Sequence, residues 1–288
     1  MPHWLKADFE QLINAFGFYS HQAPGEAEAE LVYLNHIGVI DAVLTNDVDA
    51  FVFGAETVIQ TCAERASTNP QVRLLREDLF LIAILAGGDY DQVSWILLTL
   101  APPLNKLNPQ SGLIGCGVTL AQQISQSGLG HDLFMEMHRS ADPMDVDQFL
   151  QHWCVQLQHE LSVDPNKTLG RRYQWLADLI QQDFPPWEVM DKYIHPFTSE
   201  QTAGIHWRPT GWVPQCLSLE KVTQLCKELF SWGTVPGIMN HLATHVWIGA
   251  CMCTLLQACG WISPMSTLLI VHVTATKHID RNGGAPQQ

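Results

Sequence analysis

The feature that most constrains the fold is a short, mostly apolar run from Val39 to Leu44, which follows Gly38 and precedes polar residues. A run of this length and character is typical of a parallel strand covered on both faces. Ala50 to Phe53 and Thr57 to Ile59 continue the pattern as further strand segments. We therefore expect an α/β domain with a parallel sheet.

Helical spacing of apolar residues lies on both sides of these strands. It predicts helices over residues 5–16, between Gly25 and Gly38, and from Glu77 to Ala86. From Val118 onward, helical patterns dominate and turn signals separate them. The second half of the chain is thus predicted to be α-helical.

The net charge of the chain limits how it could bind nucleic acid. The 288 residues include 29 acidic and 15 basic residues, for a net charge of −14. Residues 1–91 alone hold 14 acidic and 4 basic residues. The chain as a whole therefore has no basic field for holding nucleic acid through its phosphates, and any such contact must be local or assisted by metal ions.

Acidic residues recur at short spacing near the predicted strand ends and helix starts. Asp47 and Asp49 follow a strand, where open α/β sheets place their sites, and residues two apart in an extended segment project to one side. Glu26 and Glu28 lie at the entrance of a helix, where the chain can still be extended and the helix dipole favours anions. Asp89 follows two glycines, which allow a ligand to approach the backbone closely.

Carboxylates gathered in one cleft repel each other unless cations lie between them. Hard oxygen ligands select Mg²⁺ or Mn²⁺. Two such ions about 3.5–4 Å apart could hold a phosphodiester and activate water. The pattern therefore indicates phosphodiester hydrolysis without a covalent enzyme intermediate.

A plainer interpretation competes with this one. Acids at strand ends and helix starts are ordinarily caps or solvated surface groups. We assign Glu30, as part of a solvated helix face, and Asp91, as a loop acid, to this class.

Three sequence segments resemble a known family. They are PGEAEAEL (24–31), GVIDAVLTNDVDAFVFG (38–54) and LAGGDYD (85–91), and they occur in this order. They resemble the internal region of the flap endonuclease/XPG superfamily, and most closely its Holliday-junction-resolvase-like branch. The similarity covers about residues 7–140, and more loosely 169–200.

The resemblance implies a PIN-like α/β core, of the 5′–3′ exonuclease type, in a nuclease that cuts flap or branched DNA with two Mg²⁺ ions, or with Mn²⁺. By motif position the catalytic and metal-binding acids would be Glu26, Glu28, Asp47, Asp49 and Asp89. A nuclear location is also implied. The chain starts without the basic, apolar segment of a secretory signal, so we expect an intracellular protein.

A glycine-rich turn precedes the helix predicted from Val118. Its sequence, GLIGCG (112–117), resembles the helix-two-turn-helix of the family, with Gly112, Gly115 and Gly117 near DNA and a K⁺ ion. Glycines expose backbone groups at a helix N-terminus and suit contact with a phosphate, although such a turn is often only a tight connection. Arg171 and Arg172, followed by aromatic residues, form a second candidate DNA contact, or a solvated face.

These features divide the chain into three predicted segments. Residues 1–111 would form the partial nuclease core, 112–200 a helical DNA-binding region, and 201–288 a region of uncertain fold. Two departures from the family are evident. The N-terminal strand and its aspartates are not matched, so we expect a truncated core with fewer metal ligands. Residues 93–110 are an atypical insertion whose 18 codons could be an unspliced intron.

Other interpretations receive less support. The spacing of His241, His245, Cys251, Cys253 and Cys259 fits no common zinc pattern, so we expect buried thiols and helix-face histidines. The stretch without Asp, Glu, Lys or Arg between Glu228 and Lys277 is interrupted by polar residues, so we expect no membrane span. A fragment without catalytic activity that binds branched DNA or a protein, and a metal hydrolase acting on other substrates, stay as alternatives to the nuclease.

Overall fold

The computed structural model describes residues 3–60, 74–87, 112–140, 143–180, 184–203, 208–212, 217–230, 234–248, 251, 255 and 271–274. The helices are α1 His3–Ala15, α2 Ala27–His36, α3 Asp49–Phe53, α4 Arg76–Ala86, α5 Val118–Ser125, α6 Leu129–Arg139, α7 Pro143–Val163, α8 Gln174–Ala177, α9 Trp187–Ile194, α10 Ser199–Ala203, α11 Leu219–Leu229 and α12 Val235–His245. The strands are β1 Tyr19–Gln22, β2 Val43–Leu44, β3 Val58–Ile59 and β4 Val271–Thr274.

The chain packs as two units. Residues 1–41 and 198–288 form the first unit, and residues 42–197 form the second. The second unit is thus continuous in sequence, whereas the first is assembled from both ends of the chain. The sequence division at residues 111 and 200 concerns which stretches carry which function, and it stays a prediction.

The first unit is built around a parallel strand pair and a helical cluster. β1 pairs with β4 in parallel, with Tyr19 opposite Val271. α1 packs against α11, and Ala15 and Val222 are buried between them with residues of α12. Ser218 begins α11 by accepting a hydrogen bond from the backbone of Lys221.

The second unit is organised around α4. β2 and β3 pair in parallel and are joined by α3. α4 packs against α3, α5, α6 and α9, which buries Phe80, Leu81 and Leu85 completely. α7 packs on α6, and the indole of Trp153 donates a 3.0 Å hydrogen bond to the carbonyl of Leu129. This helical core supports the short βαβ segment that carries Asp47 and Asp49.

The predicted helices are confirmed closely. The helix expected over 5–16 is α1, that expected from Glu77 to Ala86 is α4, and α5 begins at Val118 as expected. The parallel arrangement of short strands is also confirmed. The predicted strand at Val39–Leu44 is shorter than expected, because Val39 and Ile40 instead donate backbone hydrogen bonds to Leu34 at the end of α2.

The prediction that Ala50–Phe53 is a strand is wrong. These residues belong to α3. The backbone N–H of Asp49 donates to Oδ1 of Asp47 at 3.0 Å, which forms an Asx turn directly before the helix. Gly54, with φ +96°, ends the helix. Periodicity could not reveal this, since four apolar residues suit a short helix and a strand equally.

The described residues do not include the predicted insertion at 93–110 or Asp91. Among the helices that the structure describes, none combines the length and the apolar character needed to cross a bilayer.

Candidate metal centre and nucleic-acid interface

The glutamate pair lies at the start of α2 in the first unit. Glu26 is the N-cap residue, with an extended backbone (φ −70°, ψ 139°), and Glu28 is in the first turn. Glu26 is exposed and Glu28 is half-buried. The prediction that the chain is still extended at the helix entrance is therefore confirmed for Glu26. Both carboxylates are near the positive end of the helix dipole, which stabilises anions.

The aspartate pair lies in the second unit, just past the carboxyl end of β2. The backbone N–H of Asp47 donates to the hydroxyl of Thr45 at 3.0 Å, and the N–H of Asp49 donates to Oδ1 of Asp47 at 3.0 Å. Both aspartates are half-buried. The expected extended segment does not reach Asp49, which is the first residue of α3, so the turn and not a strand fixes the two side chains.

The structure describes two acid pairs but not a complete metal centre. Asp89 lies outside the described residues, beyond Gly87, where α4 has ended. Within the part of the chain that is described, no group of three or more His, Cys, Asp or Glu side chains is placed to hold a metal ion. The donor chemistry of the pairs nevertheless suits Mg²⁺, which prefers carboxylate oxygens. The cluster of five acids stays a prediction.

The assignment of Glu30 to a solvated helix face is wrong. Its side chain is 0% exposed, with Oε1 2.9 Å from Nε2 of His21 and Oε2 accepting a 2.8 Å hydrogen bond from the backbone of Ser199. Burial alone would raise the pKa of Glu30, but the contacts with His21 and Ser199 outweigh it and lower this pKa. Glu30 therefore connects α2 with β1 and α10. The pattern hid this role because α2 is buried on most sides.

The three glycines of the turn before α5 have different environments. A Cβ on Gly112 would lie 2.3 Å from the backbone nitrogen of Gly87, so Gly112 permits close packing on the end of α4. Gly115 has φ +89°, and a Cβ there would lie 2.3 Å from the ring of Trp175. Gly117 has no atom within 4 Å of a Cβ and is the extended N-cap of α5. Gly117 is therefore the most open of the three toward a phosphate.

The basic-aromatic patch lies beside this turn. Arg171 and Arg172 are exposed, and the guanidinium carbon of Arg171 is 4.7 Å from the ring centroid of Tyr173. Trp175 is 53% exposed although its ring covers Gly115. An exposed indole and two cations next to a glycine turn provide the chemistry for contact with phosphates and bases. Trp175 thus connects the segment that holds Arg171 and Arg172 with the glycine turn, and we call these residues the turn–arginine surface (Gly115, Gly117, Arg171, Arg172 and Trp175).

The zinc alternative gains no support from the described residues. Cys253 and Cys259, and the side chain of His245, lie outside them. Of the described cysteines, Cys116, Cys154 and Cys226 are buried, whereas Cys251 is exposed. Burial of the free thiols is thus confirmed for Cys116, Cys154 and Cys226, whereas the burial expected of Cys251 is wrong.

Comparison with known proteins identifies the region that carries the acids. Residues 17–89 match the XPG I-region family. This segment contains the glutamate pair, the aspartate pair and Asp89.

Curated relatives extend the similarity. The DNA excision repair protein ERCC-5 homolog of Xenopus laevis is 25% identical over 234 residues, which cover 77% of this chain and 16% of the relative. The flap endonuclease GEN homolog 1 of Homo sapiens is 38% identical over 90 residues, which cover 27% of this chain and 10% of the relative. The matched regions are thus a small part of these relatives.

Two solved structures of junction-resolving enzymes have a fold similar to that of this chain. A eukaryotic junction-resolving enzyme GEN-1 with bound potassium has a TM-score of 0.54 and 26% identity, covering 84% of this chain and 56% of that one. The Holliday-junction-resolving enzyme GEN1, in complex with product DNA and Mg²⁺, has a TM-score of 0.53 and 25% identity, covering 82% and 54%. The chain is therefore similar to junction-resolving nucleases of the flap endonuclease/XPG superfamily, and residues 17–89 match the XPG I-region.

Proposed function

We propose that this chain carries a structure-specific DNA endonuclease activity that cuts flap or branched DNA, including Holliday junctions, by metal-dependent hydrolysis of a phosphodiester. The observation that carries the proposal is the Asp47–Asp49 turn at the carboxyl end of β2, inside the matched I-region. The similarity to a junction-resolving enzyme with product DNA and Mg²⁺ supports it. The underlying fold would be the PIN-like nuclease core, with residues 112–200 as its DNA-binding region.

In this proposal the acids supply the oxygen ligands of the metal ions. Oδ1 of Asp47 accepts the N–H of Asp49, so its other oxygen is left to face a cation. Glu26, Glu28, Asp49 and Asp89 would supply further oxygens. Two bound Mg²⁺ ions, or Mn²⁺, would polarise the phosphodiester, lower the pKa of an attacking water and stabilise the leaving oxygen.

The turn–arginine surface would hold the DNA. Gly117 starts α5 with open space around its Cα, and a phosphate there would meet the unpaired N–H groups of the first helical turn. Arg171 and Arg172 would add charge, and Trp175 a stacking ring. We place a K⁺ ion at this turn as part of the proposal, since a structure to which the chain is similar binds potassium. The net charge of −14 makes such a local surface necessary. A nuclear location fits relatives named for DNA excision repair.

The test is cleavage of labelled four-way-junction and 5′-flap DNA in Mg²⁺. We expect cleavage by the wild-type chain, a loss of at least 100-fold in Asp47→Asn, and no change in Asp147→Asn, which alters an exposed acid on α7 that accepts a hydrogen bond from Gln151. Asparagine keeps the Oδ1 acceptor of the turn, so loss of activity would reflect loss of charge and not of structure.

The second candidate function is a binding module without catalytic activity. The small share of the relatives that the chain spans favours it. In this case the wild-type chain binds four-way-junction DNA equally with Mg²⁺ and with EDTA, and cuts it at no metal concentration. Metal uptake without DNA affinity would point instead to a hydrolase with another substrate.

A further inference from the structure

Arg76 is a half-buried cation in the second unit. It is the first residue of α4, and its Nε donates a 2.9 Å hydrogen bond to the carbonyl of Val52. Its guanidinium carbon lies 5.2 Å from the ring centroid of Phe134 on α6. None of the ion pairs among the described residues includes Arg76. Keeping a cation here costs desolvation, so its hydrogen bond to α3 requires an explanation.

The carbonyl that Arg76 contacts is near the C-terminal end of α3. This helix has five residues, and so short a helix is not stable on its own. A cation at a helix C-terminus satisfies a free carbonyl and opposes the helix dipole. Arg76 therefore links α3 to the helical core around α4 and α6.

Gly54 makes room for this contact. A Cβ at Gly54 would lie 2.9 Å from both Cζ and Nε of Arg76, and Gly54 has φ +96°. Because Gly54 has no side chain, the guanidinium of Arg76 can lie directly against the end of α3. The opposite end of α3 is Asp49, whose N–H donates to Asp47.

We propose that Arg76 is a positioning residue for the Asp47–Asp49 turn, and so for divalent-metal binding, acting through α3. The inference rests on the proposed function, in which these aspartates bind the metal. Removing Arg76 has two physical effects, which change the affinity for a divalent cation in opposite directions. Loss of a nearby positive charge would strengthen binding of a cation, whereas loss of positioning would weaken it.

The experiment uses the full chain, with Mn²⁺ alone as the probe, in calorimetric titrations and in amide hydrogen exchange without metal. For Arg76→Met, which removes the donor and keeps the apolar stem, we expect about 10-fold or greater weakening of Mn²⁺ binding. Exchange over residues 47–53 should become faster in the same variant. Arg76→Lys, which keeps the charge but loses the guanidinium geometry, should weaken binding to an intermediate degree.

The matched control is Leu133→Ala, which removes a fully buried side chain on α6 and leaves the contacts of Arg76 with Val52 and Phe134 in place. It should lower stability but leave Mn²⁺ affinity unchanged in the folded protein. Unchanged or tighter binding in both Arg76 variants, or equal weakening in Leu133→Ala, would overturn the positioning role. If Arg76→Met fails to fold, Arg76→Lys decides alone. A wild-type chain that takes up no Mn²⁺ would instead refute the proposed function, and this inference with it.

Discussion

The ring of Trp175 lies over Gly115 so closely that a Cβ at the glycine would be 2.3 Å from Cη2 of the indole. The glycine also has φ +89°, a conformation that is costly for other residues. The turn before α5 and the start of α8 therefore pack closely against each other through these two residues. This contact joins the parts of the turn–arginine surface that sequence reasoning treated as separate.

Gly115→Ala should disrupt this contact. Backbone strain at positive φ costs about 1–3 kcal/mol, and the added methyl must displace Trp175. We expect this loss in the free energy of unfolding measured in urea, together with weaker binding of junction DNA. Gly117→Ala is the matched control for stability only, because Gly117 has φ −79° and open space, and it should cost about 0.5–1 kcal/mol through the poorer N-cap. Equal losses in the two variants would contradict the prediction.

Arg171→Ala and Arg172→Ala should each weaken DNA binding and reduce its dependence on salt. If each arginine neutralises one phosphate, the slope of log affinity against log salt concentration should fall by about 1 per substitution. Fluorescence anisotropy with labelled four-way-junction DNA at several salt concentrations measures this slope.

Arg139→Ala provides the control for this measurement. Arg139 is exposed in the same unit but is paired with Glu136 at 2.8 Å. Its removal should leave both the affinity and the slope unchanged. A slope that falls equally in all three variants would indicate a diffuse charge effect and not a local surface.

Glu30→Gln should destabilise the first unit, because it removes the charged acceptor of the contacts with His21 and Ser199. The expected loss is about 1.5–3 kcal/mol. The pKa of Glu30 is lowered in the folded chain, so the stabilisation is complete above the ordinary glutamate pKa of about 4.3 and is lost as the pH falls through the lower folded pKa.

Urea unfolding of wild type and Glu30→Gln from pH 3 to pH 7 tests this dependence. The difference in stability should be constant above about pH 5 and should shrink in more acid solution. Glu188→Gln, an exposed substitution on α9, should show no difference across the range. A difference in stability between wild type and Glu30→Gln that grows as the pH falls would contradict the prediction.

Thiol reactivity should separate the described cysteines. Burial raises the pKa of Cys116 to about 12, so only about 10⁻⁴ of this thiol is ionised at pH 8. Cys251 is exposed. Iodoacetamide at pH 8, followed by peptide mass spectrometry, should modify Cys251 well before Cys116. Early modification of Cys116 would show that the turn around it opens readily.

The sequence revealed the helices better than the strands. α1, α4 and α5 have apolar spacing or glycine boundaries that mark a helix without reference to the rest of the fold. α3 was missed because its start depends on one side chain, Asp47, accepting a backbone N–H, and its end on Gly54. Four apolar residues between them carry no periodicity that could decide the structure.

The candidate site was predictable to a similar degree. The acid motifs placed Asp47 and Asp49 at the end of a strand, where they are found. Their turn, the burial of Glu30 and the contact of Arg76 with Val52 could not be inferred, because each depends on groups brought together by packing. Ser199, for example, is far from Glu30 in the sequence but donates to it at 2.8 Å.

The pairing of β1 with β4 joins strands about 250 residues apart in the sequence. During synthesis β1 leaves the ribosome about 250 residues before its partner. In the sequence, residues 42–197 separate β1 from β4, and this segment contains its own strand pair and helical core. Since long-range pairing carries the larger loop-closure cost, we expect residues 42–197 to acquire their structure first and β1 to pair with β4 last.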